Sequence, residues 1–215
     1  MKPINAAASA VLGALVASAS LIVCVGKPVN TETGAPSVIV EGTSRGYVGG
    51  GAAEKRDLVV VRLFDAPVER VWKAWTVPEQ VMRWWGPTGF TSPSCKIDFR
   101  EGGKFLFCMR APKEFQGGQD FYTAGVYKKI VPMKLIEFTQ GLSDKDGAPV
   151  DPTTLGMPAD FPKEIRSALA FKRVGDKTEL TATEYDWTVG QMLEMSESGL
   201  KECLDKLAAV LATHK

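Results

Sequence analysis

The sequence predicts an α+β fold in which an antiparallel sheet of six to seven strands wraps around a long C-terminal helix. Three observations support this prediction. Short segments that alternate apolar and polar residues follow one another between residues 95 and 187, with turn residues between them. Two short helical patterns follow a first strand at residues 58–64. An apolar face repeats at helical spacing over residues 189–212.

The first elements are a strand and two short helices. Residues 58–64 are mostly β-branched and apolar, which is typical of a strand. Asp65 is placed to cap the next helix, and the apolar stripe of that helix consists of Val68, Val71, Trp72 and Trp75. Pro78 opens the second helix, which is expected to carry Trp84 and Trp85. Adjacent residues on a helix cannot both face inward, so one tryptophan is expected in the core and the other at a cavity mouth.

Six further strands are predicted at residues 95–100, 105–109, 121–131, 135–139, 165–174 and 178–187. Tight turns such as Gly102-Gly103 join consecutive strands, so the sheet should be antiparallel. The last helix would be about 36 Å long at about 1.5 Å per residue, enough to lie along the whole sheet. Its predicted apolar face consists of Met192, Met195, Gly199, Leu200, Cys203, Leu204, Leu207, Val210 and Leu211.

The chain divides into three segments. Residues 57–212 form the predicted domain, residues 27–56 a flexible linker rich in glycine and proline, and residues 1–26 an apolar segment. The apolar segment has the features of a signal peptide or a membrane anchor. A disordered extension and a start codon placed too far upstream are the alternatives. The protein would be exported or membrane-anchored in the first two cases and cytoplasmic otherwise.

Composition sets limits on the partners. The formal net charge is +1, so no basic excess points to nucleic acid, and membrane contact is expected only through the N-terminal segment. Four cysteines without a CxxC pair and one histidine argue against a Cys/His metal site, and we expect no metal or cofactor. The single histidine is next to the C-terminus, so no nucleophile–base pair is predicted.

Several motifs of the predicted domain occur together: Ala66-Pro67 with Val71-Trp72, the run Trp84-Trp85-Gly86-Pro87, and Gly102-Gly103 between two strands. This combination resembles the SRPBCC (START-like, helix-grip) superfamily, and more narrowly the activator of heat-shock-protein-90 ATPase C-terminal-like domain family. The resemblance implies a helix-grip fold with a cavity between the sheet and the last helix. It does not imply one activity, because one fold hosts many functions. Leu200 departs from the family pattern, since many relatives carry tryptophan there.

The residues expected to line this cavity are of three kinds. Indole and phenyl rings offer flat apolar surface, methionines adapt to irregular ligands, and an acid in an apolar cavity would have a raised pKa. The candidates are Trp84, Trp85, Phe105, Phe107, Met109, Tyr127, Glu184, Met192 and Met195. The alternative is that the apolar candidates are ordinary core and that Glu184, with Asp186 on the same strand face, lies at a solvated strand end.

The leading hypothesis for function is binding of a small hydrophobic or aromatic molecule in the cavity. One alternative, which rests on the family name, is a co-chaperone-like regulator of a heat-shock-protein ATPase with a chaperone as its partner. Another is a cyclase- or hydrolase-like enzyme, as some members of the superfamily are, with Glu184 and Tyr127 as its acid and tyrosine groups. The lack of a catalytic constellation favours a protein that is not an enzyme.

Overall fold

Seven strands and three α-helices make up the part of the chain that the structure, a computed structural model, describes: residues 53–213. The predictions for residues 1–26 and for most of the linker lie outside these residues. The strands are β1 (Lys55–Phe64), β2 (Cys95–Ile97), β3 (Lys104–Arg110), β4 (Asp120–Val131), β5 (Leu135–Ser143), β6 (Ile165–Val174) and β7 (Lys177–Thr188). The helices are α1 (Val68–Thr76), α2 (Pro78–Val81) and α3 (Gln191–Ala212).

All strands belong to one sheet of the order β1-β7-β6-β5-β4-β3-β2, in which every neighbouring pair is antiparallel. The first strand is therefore brought back beside the last one. Helix α3 packs against β1, β7 and α1. The predicted α+β fold, with two short helices after the first strand and a long C-terminal helix against an antiparallel sheet, is confirmed.

The buried face of α3 follows the prediction only in its C-terminal part. Near the start of the helix, Leu193 and Ser196 are buried, while Met192 and Met195 are half-buried at the margin of the core. Each residue turns a helix by about 100°, so a stripe through Leu193 and Leu200 leaves Met192 to one side. No helix among residues 53–213 has the length and apolarity needed to cross a membrane.

Two local predictions about the helices are wrong. The N-cap of α1 is Pro67 and not Asp65, and no side chain caps this helix end. Helix α2 ends at Val81, so Trp84 and Trp85 lie in the turn that follows it. Both indoles are buried in this turn, with exposed fractions of 0% and 4%.

Strand β7 contains a bulge that changes which of its side chains face inward. Tyr185 and Asp186 together lie opposite Asp57 of β1, so the pairing shifts by one residue. Asp186 has a φ of 62°, and its backbone N–H donates to the Asp57 carboxylate over 3.1 Å. Strict alternation predicted Glu184 and Asp186 on one face. Instead Asp186 is exposed, and Trp187 is buried on the same side of the sheet as Glu184.

Candidate functional site

An apolar cavity lies between the sheet and α3. Its volume is about 30 Å³, which is room for one or two water molecules. Leu200 closes it on the side of the helix. Six aromatic side chains line it: Trp75, Trp85, Phe105, Phe107, Tyr127 and Phe138.

The cavity is small because its rings pack against one another. The ring centroid of Phe107 lies 4.8 Å from that of Trp85 and 4.8 Å from that of Phe105. Phe105 in turn lies 5.2 Å from Tyr127 and 5.6 Å from Phe138. These are the distances of contacting aromatic pairs, so any larger cavity needs some of these rings to turn aside.

Gly125 determines where the ring of Phe105 can lie. It sits on β4 between its partners Phe105 on β3 and Gln140 on β5. A Cβ atom at this position would lie 2.2 Å from Cζ of Phe105 and 2.3 Å from the carbonyl oxygen of Thr139. A side chain here would therefore exclude the ring from its present place in the wall.

The register of the sheet brings one acid into this aromatic environment. Tyr127, Phe138, Ser167 and Glu184 are successive cross-strand partners on β4 to β7. Partners in such a row share one face of the sheet. Glu184 is therefore beside the aromatic wall, and only 5% of the residue is exposed.

The Glu184 carboxyl accepts two hydrogen bonds. Gln140 Nε2 donates to its Oε1 over 3.1 Å, and Trp187 Nε1 donates to its Oε2 over 3.1 Å. Gln140 Nε2 also contacts Ser167 Oγ at 3.3 Å. The contact with Trp187 depends on the bulge in β7, because strict alternation would place Trp187 on the other face of the sheet.

Burial dominates the acid–base properties of Glu184. It raises the pKa of the carboxyl from 4.5 to about 8, although the hydrogen bonds from Trp187 and Gln140 lower it. The carboxyl is therefore mostly protonated at neutral pH in the empty cavity. Burial also raises the pKa of Tyr127.

Trp75, another lining residue, has a polar atom without a partner in the described part of the chain. Its indole N–H is buried and has no hydrogen-bond partner among the described residues. Ser143 and Ser196 also have unpartnered hydroxyls, but neither residue lines this cavity. An unpaired buried donor costs about 1–3 kcal/mol, and folded proteins leave few of them. Trp75 thus combines a place in the lining with an unused hydrogen-bond donor.

The turn that carries Trp85 is tied to α3. Lys206 Nζ donates to the carbonyl oxygens of Gly86 and Phe90, each over 2.8 Å. The backbone N–H of Thr88 donates to Glu202 Oε2 over 3.0 Å. These bonds hold the turn, and with it one wall of the cavity, against the helix.

The sequence model of the family described as activator of Hsp90 ATPase homolog 1-like protein matches residues 65–212. The chain belongs to this family. The resemblance predicted from the tryptophan and glycine motifs is thereby confirmed. No curated protein matches this family member closely enough to be counted as a relative.

Solved structures show the same fold as this family member. A solution structure of a protein from Arthrobacter aurescens is 26% identical, with a TM-score of 0.59, covering 75% of this chain and 91% of that one. The crystal structure of the AHSA1 protein from Silicibacter pomeroyi is 23% identical, with a TM-score of 0.59 and coverage of 74% and 100%. A protein from Nitrosomonas europaea is 24% identical, with a TM-score of 0.57 and coverage of 73% and 94%.

The structure brings together five of the nine residues predicted to line the cavity. The candidates that line the cavity are Trp85, Phe105, Phe107, Tyr127 and Glu184. The remaining four candidates do not line it.

Each of the four candidates outside the cavity has another environment. Trp84 is buried, and its indole N–H donates to the carbonyl oxygen of Ala74 over 2.9 Å. Met109 is buried in the core. Met192 and Met195 pack at the margin of the core, and Met192 also borders a separate groove near the start of α3.

Trp75, Phe138, Gln140 and Ser167 also line the cavity and were not among the predicted site residues. Phe138 lies within the predicted strand 135–139 on the face of Ile136, and extending that strand beyond residue 139 would have added Gln140. Ser167 lies on the same strand face as Leu169, and that alternation was also visible. Trp75 gave no separate signal, because its position on the buried stripe of α1 is equally typical of plain core. Residues 53–213 contain no group of three or more His, Cys, Asp or Glu side chains that could hold a metal ion.

Proposed function

We propose that the protein binds a small apolar or aromatic molecule in the cavity between the sheet and α3. The observation that carries this proposal is the buried Glu184 carboxyl beside six aromatic lining residues, one of which, Trp75, has a buried N–H without a partner among the described residues. Burying such groups costs free energy, and apolar packing does not need them. A ligand with a donor group could use the acceptor positions of the Glu184 carboxyl that Gln140 and Trp187 leave free.

Binding requires the cavity to grow. Sites for small molecules have volumes of about 300–1,000 Å³, and the cavity has about 30 Å³. Trp85 lies in a turn and Leu200 on α3, so these side chains can move without breaking a strand ladder. The proposal therefore includes a closed state, which the structure describes, and an open state that accepts the ligand.

The proposal is tested by thermal denaturation and calorimetry with a panel of small aromatic and aliphatic compounds. A ligand at about 100 times its Kd should stabilise the protein by about 2–3 kcal/mol. Leu200→Trp adds a ring at the lining and should weaken binding at least about tenfold, because the ring occupies space that the ligand needs. Ala209→Trp places the same ring on the exposed face of α3 and should leave binding unchanged.

Two results would contradict ligand binding in this cavity. One is that no compound raises the denaturation midpoint in a saturable way. The other is that Leu200→Trp, folded and as stable as Ala209→Trp, binds the compounds as tightly as the wild-type protein.

The two alternatives have less support. The family description refers to an activator of the Hsp90 ATPase, but none of the contacts above favours a chaperone as partner. An enzyme would use Glu184 and Tyr127, which both line the cavity. Burial raises the pKa of each, so both would be protonated at neutral pH and could act only as acids or hydrogen-bond donors.

A further inference from the structure

We propose that the molecule bound in this cavity is an organic ammonium ion, whose charged group pairs with the Glu184 carboxylate among the aromatic rings. This inference rests on the proposed function and adds the chemical class of the ligand. It is argued from the charges at the wall, the faces of the rings and the hydrogen bonds of the carboxyl.

The charges of the lining residues exclude anionic ligands and favour cationic ones. Glu184 is the acid among the lining residues, Tyr127 is the other titratable group, and no lysine or arginine side chain lines the cavity. A carboxylate or phosphate ligand would be buried without a cationic partner, which is strongly unfavourable. An ammonium ion could pair with Glu184 once this carboxyl loses its proton.

The aromatic wall adds a second attraction for a cation. The faces of indole, phenol and phenyl rings carry negative potential, and several rings around one site form the cage typical of ammonium recognition. Phe105 lies within 5.6 Å of Phe107, Tyr127 and Phe138, measured between ring centroids. A cation that opens this cluster would therefore contact more than one ring.

The hydrogen bonds of Glu184 suit its ionised form. One N–H donor reaches each carboxyl oxygen, from Gln140 and from Trp187. A carboxylate oxygen can accept two such bonds, so each oxygen keeps one free position. In the empty cavity burial outweighs these two donors and keeps the proton on Glu184. An ammonium ion would supply the opposite charge that the ionised form lacks.

Pairing with an ammonium ion therefore has a proton balance that can be measured. The O–H bond of Glu184 breaks, its proton passes to the buffer, and the ammonium group keeps its own protons. Because the pKa of Glu184 is about 8, about one proton should be released per ligand near pH 6.5, and almost none near pH 9, where Glu184 is already ionised and the ammonium is still mostly charged. A neutral ligand would release none.

The test compares three probes of similar shape: 2-phenylethylammonium, n-propylbenzene and 3-phenylpropanoate. Calorimetry in phosphate and in ACES buffer near pH 6.5 should give, for the ammonium alone, the enthalpy difference of about one released proton. The ammonium should bind at least about tenfold more tightly than the hydrocarbon, and the carboxylate should not bind measurably.

The variant Glu184→Gln should lose the ammonium preference and still bind n-propylbenzene. Glu137→Gln is the matched control: Glu137 lies between Ile136 and Phe138, which line the cavity, so its side chain faces the other side of the sheet. Proton release is measured on the wild-type protein, so the proposal stays testable even if Glu184→Gln does not fold.

The outcomes separate the two proposals. If n-propylbenzene binds as tightly as the ammonium and no proton is released, the ammonium assignment is wrong and ligand binding stands. Unchanged ammonium binding by folded Glu184→Gln would also overturn the assignment. If none of the probes binds and no other apolar compound does, the proposed function itself fails.

Discussion

The protonation of Glu184 links its environment to the stability of the protein. The pKa of this carboxyl is raised from 4.5 to about 8 by burial. Between these two values the folded protein holds a proton that the unfolded chain has lost. A state that binds more protons is stabilised by acid, so the free energy of unfolding should fall as pH rises from about 4.5 to about 8, and then level off.

At the residue scale we therefore expect Glu184→Gln to remove most of this pH dependence. The wild-type protein should lose a few kcal/mol of unfolding free energy between about pH 5 and pH 8.5, because each unit of pKa shift is worth about 1.4 kcal/mol. Urea denaturation at three pH values measures the slope. Few other groups titrate in this range, since the chain has one histidine.

The matched control for this experiment is again Glu137→Gln, which should keep the wild-type slope. The slope and not the absolute stability is the readout, because an amide at position 184 keeps only one of the two acceptors that Gln140 and Trp187 use. A wild-type protein whose stability is constant over this range would show that Glu184 is ionised when folded.

At the scale of single elements, the bulge in β7 restricts which residue types can occupy position 186. Asp186 has a φ of 62°, in the left-handed region that costs most residues about 1–2 kcal/mol. A positive φ is not destabilising for glycine, and it is most destabilising for a β-branched residue. The bulge therefore depends on the residue type at this position.

We expect Asp186→Val to be less stable than Asp186→Gly by at least about 1–2 kcal/mol. Both variants remove the same exposed ion pair with Arg166, so its small contribution cancels in the comparison. Chemical denaturation measures the difference. Thr183→Val tests valine at an ordinary extended position of the same strand. Equal stability of the two Asp186 variants would mean that the backbone is not left-handed there.

The elements also show what sequence patterns can predict. Period-two alternation placed β6 at its observed ends, and the apolar face of α3 from Gly199 onward was predicted from helical spacing. The bulge could not be predicted, because the extra residue is defined only by the pairing of β7 with β1, which lies over 100 residues earlier. The end of α2 at Val81 was missed because the turn after it buries both tryptophans with spacings that a helix also allows.

At the scale of the whole molecule, the motifs predicted the fold and the general place of the cavity, but not its size. Strand faces identified Phe105, Phe107 and Glu184 as inward-facing residues at the lining. The volume of about 30 Å³ depends on ring positions at the level of single ångströms. Those positions depend on close contacts such as that of Phe105 with Gly125. The spacing of apolar residues along a strand does not predict such contacts.

Gly125→Ala should therefore change both stability and binding. The added methyl group would overlap the ring of Phe105 and the carbonyl oxygen of Thr139, and overpacking of this kind costs about 1–3 kcal/mol. Binding of n-propylbenzene should weaken as the displaced ring fills the cavity. Gly102→Ala has open space around the new carbon but a φ of 77°, so it should lower stability through the backbone and leave binding unchanged. Wild-type stability and affinity in Gly125→Ala would contradict the described packing.

The bonds from Lys206 to the carbonyl oxygens of Gly86 and Phe90 have a consequence for how fast a ligand can exchange. They fasten the turn that carries Trp85 to α3, so this wall cannot swing outward until they break. Opening would then precede binding, and the observed association rate would level off at high ligand concentration at the rate of opening. The same fastening would slow release, so residence time would be set by the protein and not by the diffusion of the ligand.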